Sequence, residues 1–373
     1  MSDGLPEDDE EDWFRPVWET EDEAELDPPG PPRPRKQPAA PDYGHPLLTP
    51  LARAQDAVTR LEAKAEMASP AVVEGLRARL SYLEAAGWLS CAHMWIHPLD
   101  LVLREGGALV SSYWAASCSD QLATVLPATV AQHADLDHVV GLGAISLDLA
   151  ANRALNLARM WRRLAELRTW RPLADAEAVQ NTLKSLGFGH AEHKVIEDWL
   201  ADVYGREQGP DLIRAGRAAI DWINQPGVRD RDPDGVFLGV CLWRDKNRNA
   251  PIPLPFWSAP EQYHHRLGLK FGLDWMSQFL ECVRAAAMTA LRELARLREA
   301  EIKHMDLRAT ARSRLPDAFN AVLRAPVVTT DSLAKALQVT PRGALGLLQQ
   351  LTAAGIVKEA TGRASWRYYV LTD

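Results

Sequence analysis

The stretch Thr340-Pro-Arg-Gly-Ala-Leu-Gly-Leu-Leu-Gln-Gln-Leu351 begins with a threonine and a proline and continues with leucines at helical spacing. Threonine is a favoured N-cap residue, and proline fits the first helical position because the missing N–H has no partner there. The pattern therefore predicts a helix that begins at Pro341 and ends near Gly355. Its outward face is expected to carry Arg342, Gly343, Gly346 and Gln349.

Two shorter helical patterns precede this helix. Residues 317–323 predict a first helix, and Asp331-Ser-Leu-Ala-Lys-Ala-Leu337 predicts a second, capped by Thr330 or Asp331. A tight turn through Gln338 and Val339 follows, which is the spacing of a helix-turn-helix. The shared core is expected to contain Leu333, Ala336, Leu337, Val339, Leu345, Leu348 and Leu351.

A β-hairpin is predicted after the third helix, from Ile356-Val-Lys-Glu359 and Trp366-Arg-Tyr-Tyr-Val-Leu371. This hairpin would be the wing of a winged helix-turn-helix. The third helix is expected to enter the major groove, with Arg342 on a base and Thr340, Gly343 and Gln349 beside it. The wing is expected to contact phosphates or the minor groove through Lys358, Arg363 and Arg367. Winged helices also serve as protein-docking modules, and that alternative stays open.

The charge distribution favours double-stranded DNA as the partner. The formal net charge of −8 combines −12 in residues 1–30 with +4 in the remainder. Residues 308–373 hold nine Arg or Lys against four Asp or Glu, so the basic surplus coincides with the helix-turn-helix pattern.

The chain is expected to have three parts. Residues 1–45 predict a disordered arm that is acidic and then proline-rich, residues 46–306 a helical domain, and residues 307–373 the winged helix-turn-helix. The fold class is therefore mostly α. Trp13, Phe14 and Trp18 among the acids could be a docking motif or an autoinhibitory mimic of DNA phosphate, and a solubilising tail is the simpler alternative.

Several helices are predicted in the helical domain. Two begin at Thr49-Pro50 and Ser69-Pro70, and the second is expected to end at Gly87. A strand or buried extended segment is expected over residues 235–243, where the sequence is short, apolar and partly β-branched. A long helix over residues 267–304 is expected to be a connector to the C-terminal domain or a homodimer helix, and a core helix of the same domain is the alternative. The remaining helices are expected over residues 147–167, 175–186, 191–204 and 210–223.

Composition excludes several classes of protein. No run of about 18 uncharged apolar residues is present, so no membrane partner is expected, and nothing in the acidic N-terminus directs the chain out of the cytoplasm. The four cysteines lie far apart and form no C-x-x-C pair, which argues against a zinc knuckle or a disulfide framework.

The sequence gives only weak evidence for a metal or catalytic site. Cys91, His93 and His97 lie within seven residues, and a further metal ligand would have to come from Asp100 or from His133 and His138. Polar groups within a helical core explain these residues better, so no metal, cofactor or catalytic residue is predicted. A basic helix could form a second phosphate-binding surface, although a solvated face paired with neighbouring acids is favoured; its residues are Arg153, Arg159, Arg162, Arg163, Arg168 and Arg171.

The residues from Thr340 to Leu345 and from Ala354 to Arg363 resemble the winged helices of bacterial regulators, including those that follow Fic-type nucleotidyl-transfer domains. The Fic signature is absent, because His97-Pro98 is followed by Leu-Asp-Leu-Val-Leu-Arg-Glu-Gly-Gly. Over residues 46–373 the chain is similar to rhizobial plasmid-type proteins that join a domain of unknown function to a C-terminal helix-turn-helix. This resemblance implies DNA binding by a transcriptional or plasmid-maintenance regulator. The alternative is an enzyme with a helical catalytic core, Fic-like or similar, that the winged helix targets.

Overall fold

The computed structural model describes residues 45–91, 94–106, 147–187, 191–205, 209–225, 228, 232–264, 273–304, 313–360 and 367–372. These residues are mostly helical, which confirms the predicted fold class. Pro46–Asp373 form one compact unit. Residues 1–44 of the expected arm lie outside the described residues.

Two regions of this unit are distinguished below. The helical region, residues 45–304, contains α1 Leu48–Glu66, α2 Pro70–Cys91, α3 Pro98–Glu105, α4 Leu147–Glu166, α5 Ala176–Leu186, α6 His193–Gly205, α7 Asp211–Ile223, α8 Asp234–Lys246, α9 Glu261–His264 and α10 Leu273–Lys303. The C-terminal region, residues 313–372, contains α11 Leu315–Arg324, β1 Val328–Thr329, α12 Thr330–Leu337, α13 Pro341–Ala353, β2 Val357–Glu359 and β3 Tyr368–Leu371. Helices α4 to α7 lie within two residues of their predicted bounds.

The long helix α10 is part of the core of this chain. Its apolar seam, which includes Phe279, Val283 and Leu294, is buried, and the helix packs against α1, α2 and α7. Of the roles considered for this helix, the buried seam fits that of a core helix of the same chain. A two-fold contact between chains would have to use another face of α10.

Two helix caps were predicted immediately before a proline, at Thr49 and at Ser69, and one of them is found in the structure. Ser69 caps α2, because its hydroxyl oxygen accepts from the Val72 N–H at 3.3 Å. The expected cap at Thr49 is wrong, since α1 begins at Leu48, two residues before Pro50, and has no side-chain cap. Pro50 still lies in the first turn, where a missing N–H breaks no helical hydrogen bond.

Helix α2 does not end at Gly87 as predicted but continues to Cys91. A Cβ atom at Gly87 would lie 1.7 Å from the Trp257 carbonyl oxygen, so glycine here permits a close approach of backbone. One turn away, the buried Glu84 carboxylate accepts hydrogen bonds from the N–H groups of Phe256, Trp257 and Ser258. Both residues hold the segment after α8 against α2.

The expected strand over residues 235–243 is wrong, because these residues form helix α8. Every residue from Asp234 to Arg244 is buried, and α8 packs along α7. A helix that is covered on all sides has apolar residues around its whole circumference, so its sequence shows no helical period. The apolar run could therefore not distinguish a buried helix from a buried strand.

The strands form one antiparallel sheet in the order β1-β3-β2. In the expected hairpin, Val357 pairs with Leu371 and Glu359 with Tyr369. Strand β1 was not predicted, since two residues are too few to show an alternating pattern. It pairs Val328 with Tyr369 and so places the start of α12 beside the hairpin.

Arg79 of α2 joins the C-terminal region to the helical region. It is 8% exposed, and its guanidinium donates to the carbonyl oxygens of Leu323 at 2.7 Å, Val322 at 3.2 Å and Ala325 at 2.9 Å. These carbonyls end α11 and have no partners within the helix. The Glu293 carboxylate of α10 lies 3.4 Å from Nε of the same side chain. Burial lowers the pKa of Arg79 to about 10, so the group remains a cation at neutral pH.

Gly75 permits this contact between α2 and α11. A Cβ atom at position 75 would lie 2.0 Å from the Leu323 carbonyl oxygen, which no side chain could tolerate. An exposed ion pair between Arg324 and Glu74, at 2.9 Å, lies beside it. The C-terminal region is therefore fixed on the helical region through α11.

Among the helices that the structure describes, none combines the length and the apolar character needed to cross a bilayer.

Candidate nucleic-acid interface

The N-terminus of α12 is fixed by a reciprocal pair of side chains. The Ser332 N–H donates to Oγ1 of Thr329 at 3.0 Å, and the Thr329 N–H donates to Oγ of Ser332 at 2.8 Å. The cap is thus Thr329, and the prediction of Thr330 or Asp331 is wrong. Thr329 ends β1 with an extended backbone, which aims its side chain at the third residue of the helix.

The turn between α12 and α13 matches the predicted spacing. Gln338 has a left-handed backbone, with φ of 54°, and ends α12. Thr340 then caps α13, because its hydroxyl oxygen accepts from the Gly343 N–H at 3.2 Å. Pro341 occupies the first helical position. The cap and proline that the sequence predicted are confirmed.

The core beneath the two helices differs slightly from the prediction. Leu333, Leu337, Leu348 and Leu351 are buried as expected, whereas Ala336 is exposed. At about 100° per residue, Ala334 and Ala336 lie on opposite sides of the direction that Leu333 and Leu337 share, and the side of Ala334 is the one that packs inward. Their face is completed by two other buried side chains, those of Ala334 and Ala344. Val339 and Leu345 are half-buried.

The first turn of α13 brings three of the predicted site residues together. Thr340, Arg342 and Gly343 are all exposed. Arg342 makes no hydrogen bond or ion pair with the residues that the structure describes. The Thr340 oxygen is occupied as an acceptor, but its O–H can still donate to an external oxygen. A cation, a hydroxyl donor and the backbone N–H of Arg342 therefore lie at one helix end.

The outward face continues along α13 without large side chains. Gln349 is exposed, as predicted. At Gly346 an added Cβ atom would have no heavy atom within 4 Å, so the surface there is open. This face can approach an external surface closely between Arg342 and Gln349.

The hairpin residues lie in different settings. Arg367 is exposed, with its Nε 3.8 Å from the Glu359 carboxylate on the neighbouring strand. Lys358 is half-buried and lines a groove of about 450 Å³ between the hairpin and α2, α3 and α10. Arg363 lies outside the described residues. Phosphate contacts from these three residues stay predictions.

Other basic residues of the C-terminal region have structural roles that the sequence did not reveal. Arg314 donates to the Leu337 carbonyl oxygen at the end of α12 and lies 3.4 Å from Asp317. Arg324 is paired with Glu74. Arg342 is thus distinguished from these arginines by its lack of an internal partner.

A family model described as an HTH DNA binding domain matches residues 315–370. The C-terminal region is a helix-turn-helix DNA-binding domain. The matched residues begin at α11 and end in β3, so they include all three helices and the sheet. The match does not extend over the helical region. No curated protein matches the chain.

The cluster at Cys91, His93 and His97 does not have the helical spacing that sequence analysis considered. His97 has an extended backbone before α3, and its Nδ1 accepts from the Leu99 N–H at 3.1 Å. Burial lowers the pKa of His97 to about 4, so the ring is neutral at physiological pH. His93, His133 and His138 lie outside the described residues. The imidazole of His97 therefore acts as a helix cap.

The basic helix α4 uses its arginines within the helical region. Arg162 donates to both carboxylate oxygens of Glu105, at 2.9 and 2.8 Å, and Arg159 donates to the same group at 2.7 Å. Arg163 lies over the Trp170 ring at 4.5 Å. Arg159 and Arg162 are paired with an acid of a neighbouring helix, as the favoured alternative predicted.

Proposed function

We propose that this protein binds double-stranded DNA at specific sequences, with α13 in the major groove, and that it acts as a transcriptional or plasmid-maintenance regulator. The observation that carries the proposal is the exposed Arg342, which has no partner among the described residues and lies in the first turn of the second helix of a helix-turn-helix. In this motif the N-terminal residues of that helix contact base edges. Arginine is the usual reader of guanine, through two hydrogen bonds to O6 and N7.

The neighbours of Arg342 fit supporting roles in the same complex. Thr340 can donate to a phosphate, and the positive end of the α13 dipole favours an anion there. Gly343 and Gly346 have no side chains that would hold the helix away from the DNA, so the helix can lie deep in the groove. Gln349 lies two turns further along and is proposed to contact a base or phosphate at the edge of the site.

The β2–β3 hairpin is proposed to be the wing. In this reading Lys358, Arg363 and Arg367 contact the DNA backbone beside the major groove and supply affinity more than sequence preference. Arg367 would then exchange its contact with Glu359 for a phosphate. At 3.8 Å this exposed ion pair contributes little to stability, so the exchange costs little.

A homodimer is proposed as the DNA-binding form. One helix-turn-helix contacts few base pairs, whereas two copies related by a two-fold axis read two half-sites about 34–36 Å apart. The buried seam of α10 excludes that seam from the dimer contact. The preferred DNA should then be an inverted repeat.

Selection from a pool of random duplexes tests this function. The full chain is incubated with the pool at about 150 mM salt, where non-specific phosphate binding is weak, and the bound duplexes are sequenced. The proposal expects an enriched motif that contains an invariant guanine in each half-site. Recovery of the pool with unchanged composition would contradict sequence-specific binding and favour a protein-docking role for the domain.

A further inference from the structure

An arginine-lined groove lies in the helical region, between the segment that follows α4 and the end of α8. Its volume is about 290 Å³, close to the lower limit of about 300–1,000 Å³ that is usual for small-molecule sites. Four arginines line it: Arg168, Arg171, Arg244 and Arg248. Leu164, Trp170 and Pro172 form an apolar part of the wall. The groove therefore combines a concentrated positive charge with a surface for an organic group.

The positive charge is poorly balanced. Asp245 is the acid that lines the groove, and its carboxylate is bound to Arg248 at 2.6 Å. Arg168 and Arg171 are exposed and form no hydrogen bond or ion pair with the residues that the structure describes. Two guanidinium groups can thus accept an external anion without breaking an internal contact.

Arg244 shows that the positive charges repel each other. It is 6% exposed, and its guanidinium donates to the carbonyl oxygens of Asn247 at 3.0 Å and of Ala250. Burial lowers the pKa of Arg244 to about 10; the charges of Arg77 and Arg168 act in the same direction, and that of Glu62 opposes them. Burial lowers the pKa of Arg77 as well, with Arg168 in the same direction and Glu166 and Glu74 opposed. A bound anion would favour the charged forms of these arginines.

The groups in the groove that could perform chemistry are inactive. Burial raises the pKa of the Cys241 thiol well above its usual value, so no nucleophilic thiolate forms at neutral pH. Tyr204 donates its O–H to the Leu173 carbonyl oxygen at 3.1 Å, and burial raises its pKa as well. The groove thus has the properties of a binding site.

We propose that this groove binds a small organic phosphate, with Arg168 and Arg171 as the residues that contact the anion. Guanidinium groups bind phosphate oxygens through paired, charge-assisted hydrogen bonds. The apolar wall at Trp170 and Pro172 would contact the organic part of the ligand. A DNA backbone fits less well, because part of the wall is formed by the buried side chains of Cys241 and Arg244. The proposal is independent of whether α13 contacts DNA.

Thermal unfolding and calorimetric titration of the full chain test the site, with glucose 6-phosphate and inorganic pyrophosphate as probes. Both probes should raise Tm in a concentration-dependent way, by at least about 2 °C near saturation, at constant ionic strength. The double variant Arg168→Ala/Arg171→Ala should lose at least about tenfold in affinity. Arg168→Lys/Arg171→Lys should retain part of the binding, since the charge is preserved. Arg53→Ala is the matched control, because Arg53 is an exposed arginine of α1.

The Tm of Arg168→Ala without probe separates a ligand-binding role of Arg168 from a structural one. Arg168 makes no ion pair with the described residues, and its charge disfavours the charged forms of Arg77 and Arg244, so Arg168→Ala should leave the Tm without probe unchanged or raise it. The proposal is overturned if neither probe shifts Tm, or if the double alanine variant binds as tightly as the wild type. It is also overturned if random duplex DNA displaces pyrophosphate from the wild type and binds the double variant more weakly, because the groove is then a DNA contact.

Discussion

The helix-turn-helix domain and the helical region differ in how far along the chain their polar contacts reach. In the domain, Thr340 caps a residue three positions away, and Thr329 and Ser332 cap each other over the same interval. In the helical region, Glu84 binds backbone 172 residues away, and Arg79 of α2 binds α11 across 244 residues. Local contacts leave a pattern in the sequence, whereas distant ones leave isolated charged residues. The arrangement of the first region could therefore be predicted from its sequence, whereas in the second region individual helices could be predicted but not how they pack.

The two regions also differ in what their arginines do. Arg159 and Arg162 share one glutamate within the helical region, while Arg342 on α13 has no partner in the part of the chain that the structure describes. A paired, partly buried arginine joins elements of the fold. An arginine without a partner, on an exposed and otherwise small-residue face, is available to a ligand. The substitutions below separate these roles.

The largest effect on stability is expected where the two regions meet. Arg79→Ala would leave Glu293 without this partner and remove the donors from three carbonyls at the end of α11, at a cost of about 3–5 kcal/mol. Urea denaturation measures the loss. Arg324→Ala is the control, because it removes the exposed ion pair with Glu74 in the same interface, worth at most about 1 kcal/mol. Equal losses in the two variants would contradict the role of Arg79.

Removal of one helix cap in each region separates effects on stability from effects on DNA binding. Thr340→Ala and Asp175→Ala each remove the side-chain acceptor at a helix start, and each should lower the free energy of unfolding by about 1 kcal/mol. Only Thr340→Ala should also weaken DNA binding, because its hydroxyl is proposed to contact a phosphate. If both variants bind DNA like the wild type, Thr340 has a structural role alone.

A smaller effect of opposite sign is expected at Gly346. A methyl group there meets open space, and alanine favours a helix over glycine, so Gly346→Ala should stabilise the protein by about 0.5–1 kcal/mol. The same variant should bind DNA more weakly if α13 lies close to the bases. Gly205→Ala, at the end of α6, is the control, since its Cβ would also meet nothing and it lies outside the domain. Unchanged DNA affinity in Gly346→Ala would argue against a close approach.

The smallest effect is expected from the acidic arm. Residues 1–30 carry a charge of −12, and a tethered anion competes with DNA for a basic surface. Deletion of residues 1–40 should tighten DNA binding at about 50 mM salt and have less effect at higher salt, where charges are screened. If the truncated chain binds no better at low salt, the arm is a solubilising tail.

Much of the fold of the helix-turn-helix domain could be predicted from the sequence, because the residues that define its helix ends and turns lie close together in the chain. The start of α13 at Pro341, the turn at Gln338 and the strands of the hairpin were all predicted. Strand β1 was missed because it has two residues. Ala336 was placed in the core, although Ala334, on the other side of Leu333 and Leu337, is the alanine that packs inward. The exposure of Arg342 was predicted, but its lack of a partner could be seen only in the structure.

Less of the helical region followed from its sequence. Helix bounds were predicted where one face is exposed, as in α5 and α7, because the polar face produces a period. The fully buried α8 has no such face and was taken for a strand. Gly87 was read as a helix end, although it lies within α2 where the backbone of Trp257 approaches. The groove at Arg168 and Arg171 combines residues from α4, the following segment, α6 and α8, so no local pattern reveals it.

The central claim, that α13 reads DNA, is tested most directly by titrating Arg342→Ala against the duplex enriched by selection and against a scrambled duplex, at several salt concentrations. The substitution should cost about 1–3 kcal/mol on the enriched duplex and relax the preference at one base pair, with little change on the scrambled one. Arg53→Ala should behave like the wild type on both. If Arg342→Ala binds both duplexes like the wild type, α13 does not read the sequence, and the domain is better regarded as a protein-docking module.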